Sequence, residues 1–149
     1  MSRRVLVKAP AAEIFAIISD PHRHPELDGS GTVRDVPIKG PHQLSVGDKF
    51  TVGMKQYGVP YKITSTVTRV EDGSDGKVIE WRHPLGHHWR WQLVEASPGG
   101  DSITEVTETF DYSALKVPLL ITGLGMHHKN ADGITSTLQN LADRFSDRP

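Results

Sequence analysis

The sequence predicts a single α+β domain over residues 1–149, on three observations. A short strand and an apolar-faced helix stand at the start. Segments rich in β-branched residues and separated by turn signals fill the middle, and a helical apolar period takes over near the end. The length suits one domain and leaves little room for two.

Arg3–Lys8 reads as a strand with Val5 and Val7 on one face. Pro10-Ala-Ala-Glu13 opens a helix, because proline suits the first helical turn and Glu13 favours the positive end of the helix dipole. Ile14, Phe15, Ile17 and Ile18 give that helix an apolar face. Asp20-Pro21 ends it, and Pro25 limits any short helix beyond it to about one turn.

Between Gly29 and Tyr112 the strand-like segments are Thr32–Ile38, Lys49–Gln56, Tyr61–Val70, Lys77–Trp81, His88–Glu95 and Ile103–Tyr112. Turn signals separate them, among them Glu71-Asp-Gly-Ser-Asp-Gly, His83-Pro-Leu-Gly and Ser97-Pro-Gly-Gly-Asp. Their short connections predict an antiparallel meander. After Pro118 the period changes: Ile134, Leu138, Leu141 and Phe145 share one face of a helix, extended back through Ala131 and His127. Gly123, Gly125 and Gly133 weaken the front of that helix.

Composition excludes several function classes. Seventeen basic and eighteen acidic side chains leave a formal charge of −1, which argues against nucleic-acid binding by bulk charge. There is no cysteine, so disulfides, thiol catalysis and cysteine-based zinc sites are ruled out. Met1–Pro10 holds no apolar run of signal-peptide length, and Val117–Leu124 is far short of a membrane span. A cytoplasmic protein without membrane insertion is expected.

The string Ala9-Pro-Ala-Ala-Glu-Ile-Phe-Ala-Ile-Ile-Ser-Asp20 resembles the first-helix opening of small bacterial polyketide cyclase/dehydrase and lipid-transport-like proteins. These belong to the START/Bet v 1-like (SRPBCC) superfamily. Gly47-Asp-Lys-Phe50, Val106-Thr-Glu-Thr-Phe110 and the terminal amphipathic helix add to the likeness, which covers nearly the whole chain. The resemblance implies a helix-grip fold: a curved seven-stranded antiparallel sheet, ordered β-αα-β6-α, wrapped around the long C-terminal helix. It also implies a cavity between the two that holds a hydrophobic molecule.

Alternation along the strands nominates the wall of that cavity. Trp89, Trp91 and Leu93 share one face, as do Val106, Glu108, Phe110 and Tyr112, and as do Tyr61, Ile63, Ser65 and Val67. Core and cavity wall are one surface in such a fold. The expected ligand-binding residues are therefore Ile63, Trp81, Trp89, Trp91, Phe110 and Tyr112, with Leu120, Leu124 and His127 from the helix and its approach. Gly123, Gly125 and Val117–Leu120 would gate it. A buried Glu108 would need a partner, for which Arg90 is the candidate; if both face solvent they form an ordinary cross-strand pair.

Meander topology gathers His83, His87, His88, His127 and Tyr57 or Tyr61 at one mouth, whereas His22, His24 and His42 read as solvated loop residues. Neutral imidazoles suit Zn, Cu, Fe or Ni, but no H-E-x-x-H motif exists and no metal site is expected. No cofactor fingerprint is present either, and no cofactor is expected.

The leading function is binding of a hydrophobic or aromatic small molecule, lipid- or polyketide-like. The first alternative is a polyketide cyclase/aromatase or dehydrase, with His83, Tyr61 and Glu108 as acid–base groups. A second is a protein-interaction module of the chaperone-activator type. The expected partner is the small molecule, not nucleic acid, with a homodimer left open.

Overall fold

β-branched residues and alternating polarity build most of this chain into strands. The computed structural model describes residues 1–26, 38–56, 58–74, 76–96, 102–111 and 126–145. Its strands are β1 (Ser2–Val7), β2 (Lys49–Gln56), β3 (Val59–Asp72), β4 (Lys77–Arg82), β5 (His88–Glu95) and β6 (Thr104–Asp111). All pair antiparallel in the order β1-β6-β5-β4-β3-β2, so a five-strand meander is closed by β1 lying against β6. The described residues thus hold six strands rather than seven. The expected strand Thr32–Ile38 lies outside them apart from Ile38; directly after it, Lys39 makes a bridge to Thr51 on the edge of β2.

Helix α1 (Ala11–Ile18) begins after Pro10, whose side chain caps nothing. A distant carboxylate does so instead: Glu95 Oε1 accepts the Ala11 N–H at 3.1 Å, placing a negative charge at the positive end of the helix. Ser19 closes the helix through its N–H and hydroxyl, both donated to the Phe15 carbonyl. A 3-10 turn, Pro21–Glu26, comes next and runs on through Pro25, further than the single turn expected.

Long β3 carries a bulge at Val67–Arg69. Thr68 is the extra residue there, and its hydroxyl donates to the Glu80 carboxylate at 2.9 Å. Such a bulge bends a strand and increases its twist, which helps the sheet curve. Past the bulge the inner face continues at Val70, opposite Ile79, rather than at Arg69.

The second helix, α2 (Met126–Arg144), packs over β1 and β6, while α1 packs over β4 and β5. Ile134, Leu138, Leu141 and Phe145 are all buried, as their spacing predicts. They meet Val7, Ile14, Ile18, Leu93 and Val106 in one core. Each fully buried aliphatic side chain contributes roughly 1.5–3 kcal/mol by leaving water.

Candidate functional site

Strand alternation sends all three tryptophans of the chain, Trp81, Trp89 and Trp91, to the inner face of the sheet. Register then sets their neighbours. Trp81 faces Trp89, Trp89 faces Phe110, and Trp91 faces Glu108. Ile63, opposite Val52, shares this face further along β3.

The aromatic side chains join into a belt. Trp89 and Phe110 have ring centroids 4.8 Å apart, and Phe50 meets Trp81 edge-on at 5.3 Å. At one end His87 lies 4.8 Å from Phe110 and stacks on His83 at 4.1 Å. At the other, His24 stacks on Trp81 at 5.2 Å. Tilted and edge-on contacts of this kind add to the burial of the rings themselves.

The β4–β5 turn explains the histidine pair. The His83 N–H donates to the His87 carbonyl at 2.8 Å, and Gly86, at φ +105°, turns the chain back in a conformation that favours glycine. His83 Nδ1 accepts the Leu85 N–H at 3.0 Å. Although His83 and His87 have an H-x-x-x-H spacing, a Pro-Leu-Gly turn separates them rather than a helix.

His87 is the polar oddity of the belt. It is 7% exposed, and among the described residues its buried Nδ1 finds no hydrogen-bond partner. Burial, and then the neighbouring His83 and His88, lower its pKa to about 3, so the ring is neutral. Burial likewise lowers the pKa of His83 and raises that of Tyr61.

The three acid–base candidates do not converge. His83 stands level with Ser65, because Arg82 pairs with Thr66, and Tyr61 lies four residues further along β3, about 13 Å by strand rise. Glu108, 6% exposed, faces Trp91, four residues from His87 and again about 13 Å away. The reason is an overhang: Val59–Ser65 pair with β2 alone and extend past the end of β4. Tyr61 therefore does not join the His83–His87 pair, and His88 points to the outer face opposite Asp111.

Arg90 does not serve Glu108. The register places Arg90 opposite Thr109, on the outer face, where its Nη1 donates to Glu80 Oε2 at 3.1 Å. The expected Arg90–Glu108 pair fails because neighbouring residues on a strand point to opposite sides. On that outer face a polar depression of about 270 Å³ is bordered by Lys49, Thr64, Thr66, Arg82 and the His83 turn.

His24 overturns the solvated-loop reading. Its Nε2–H donates to the Ile18 carbonyl at 2.6 Å, and burial against Trp81 and Phe50 outweighs that bond and lowers its pKa. His42, 78% exposed, fits the solvated reading, and it lies with His22 of the 3-10 turn beside Asp20. Tyr57, Tyr112, Leu120 and Leu124 lie outside the described residues, as do the gate at Val117–Leu120 with Gly123 and Gly125 and the side chain of His127. Sequence reasoning did not place Phe50, His24 or His87 among the ligand-binding or acid–base residues. For Phe50 alternation along β2 was the available signal; for the burial of the two histidines there was none short of the fold.

Residues 1–146 match the profile of a family described as polyketide cyclase/dehydrase and lipid transport. An uncharacterized protein of Mycobacterium tuberculosis is 50% identical over 150 residues, covering 98% of this chain and 64% of the relative. The chain thus spans less than two thirds of that relative's length. Among solved structures, a Nitrosomonas europaea protein superimposes with TM-score 0.64 at 13% identity, over 98% of this chain and 96% of its own. Ginseng major latex-like protein 151 from Panax ginseng gives 0.60 at 9% identity, over 97% and 95%. Identities this low establish a shared fold only.

Proposed function

The chain belongs to the polyketide cyclase/dehydrase and lipid-transport family, and from that membership we propose that residues 1–149 act as one domain binding a hydrophobic or aromatic small molecule. The ligand lies against the ring belt, between the sheet and α2. The observation that carries this reading is His87, a neutral imidazole buried among Phe110 and Trp89 whose Nδ1 has no hydrogen-bond partner among the described residues. A buried polar atom in this state costs free energy unless something completes it. A ligand hydroxyl or carbonyl would, while the aromatic wall takes up its apolar body. Apolar burial then supplies most of the affinity and the imidazole fixes orientation.

Cyclase/aromatase or dehydrase chemistry requires acid–base groups that meet at one carbonyl. The steps of about 13 Å along the strands, from Tyr61 to the level of His83 and from Glu108 to the level of His87, favour binding over catalysis by that trio.

Because every tryptophan lies on the inner face, intrinsic fluorescence reports directly on the site. Titration with 1-naphthol and with palmitate is expected to give a saturable change with at least one probe. Trp89→Ala is expected to weaken that probe about tenfold, equivalent to about 1.4 kcal/mol. No saturable change with either probe, or an affinity untouched by the substitution, would refute the reading.

A further inference from the structure

We infer that Asp20, His22 and His42 form a binding site for a borderline divalent metal ion such as Zn²⁺, on the rim where α1 ends and apart from the ring belt. One ligand atom from each residue can be chosen so that all lie within 4.8 Å of one another. Two imidazoles and one carboxylate are the N/N/O set that Zn²⁺ and its neighbours favour, whereas Mg²⁺ and Ca²⁺ prefer oxygen alone.

The hydrogen bonds around the three residues are those of a prepared site. His22 Nε2 lies 2.7 Å from the Gly40 carbonyl, which can only accept, so Nε2 carries the proton and Nδ1 keeps its lone pair. An imidazole tied through one nitrogen to a backbone carbonyl and open at the other is the usual outer support of a metal-bound histidine. Asp20 Oδ1 accepts the His22 N–H at 3.0 Å, and Oδ2 lies 3.3 Å from His42 Nδ1. The His22 and His42 rings stack at 4.0 Å, so the exposed His42 ring has to turn out of the stack to bring its in-plane lone pair onto the same ion.

Each support is anchored to the fold. Gly40 sits at φ +138°, where a Cβ would come within 2.8 Å of the Phe50 Cβ, so this carbonyl position requires glycine. Next to it, Lys39 exchanges two backbone hydrogen bonds with Thr51 of β2. The Leu44 N–H donates to the Ser19 carbonyl at 3.0 Å and draws the His42 segment onto the end of α1. In a tetrahedral site with bonds of about 2.0–2.1 Å, donor atoms stand about 3.3 Å apart. The His42 side chain, 78% exposed, has the freedom to close that difference. Three protein ligands leave a position open to water or to a further ligand.

The test uses untagged protein freed of metal with a chelator and titrated with Zn²⁺ alone by calorimetry, with Co²⁺ absorption as a second readout. One equivalent is expected to bind saturably, with a visible Co²⁺ band. His42→Ala, at a surface position that folding does not need, and Asp20→Asn, which keeps the oxygen that accepts the His22 N–H, are each expected to weaken Zn²⁺ at least tenfold. His88→Ala, on the outer face, should leave it unchanged. Absence of saturable binding, affinity unaltered in His42→Ala, or equal weakening in His88→Ala would overturn the site. None of these outcomes bears on the tryptophan-monitored ligand, so the two readings stand or fall separately.

Discussion

His87 owes its character to its neighbours rather than to its chemistry. In water an imidazole titrates near 6.5, but here Phe110, Trp89 and the rest of the wall hold it neutral down to about 3. The unfolded chain therefore takes up the proton first as pH falls, and the linked stability, complete above 6.5, drains away toward 3. His24 and His83, also lowered by burial, act in the same direction. His87→Phe keeps a ring against Phe110 and removes the proton site, so its urea midpoint is expected to fall less between pH 7 and pH 4.5 than that of the parent. An equal fall in both proteins would show that His87 is not the group responsible. The sequence could not rank the crowded histidines His83, His87 and His88. Alternation alone turns His88 outward, but the burial of His87 depends on Phe110, on another strand.

At the scale of elements, strand limits were legible where both ends are marked. β2 and β5 run over the residues that their turn signals predict. β3 is longer than its apolar pattern suggests, and its bulge is invisible in sequence because a bulge is a property of pairing with β4. The overhang of the β2–β3 hairpin has the same origin, and it is what separates Tyr61 from the histidine pair. For α2 the period of its apolar side chains was enough. Leu141 on that face is 0% exposed, so Leu141→Ala is expected to cost about 2–5 kcal/mol in urea unfolding with the m-value unchanged. A loss below about 1 kcal/mol would mean that α2 does not dock on the sheet as described.

For the whole molecule, the proposed ligand at the ring belt would couple its binding to folding, because the unfolded chain offers no such surface. A ligand present at about 100 times its Kd adds about 2.7 kcal/mol, which in a chain of this size raises Tm by about 5–10 °C. Calorimetry with and without 1-naphthol or palmitate, whichever binds, measures this; saturable fluorescence without a rise in Tm would place the probe on surface that persists on unfolding. Among the described residues no helix is long and apolar enough to cross a membrane.

By itself the sequence determined the α+β order, the antiparallel meander, the apolar face of α2 and which residues share a strand face, Trp89 with Trp91 and Glu108 with Phe110. All of these derive from periodicities of two and 3.6 residues that any stretch of chain carries locally. Only the tertiary structure decided that Arg90 answers Glu80 rather than Glu108, that His24 is packed against Trp81, and that Asp20, His22 and His42 meet. Those outcomes depend on strand register and on contacts between segments distant in sequence. A pattern within one segment can state which face a residue takes, but not which residue from elsewhere comes to stand opposite it.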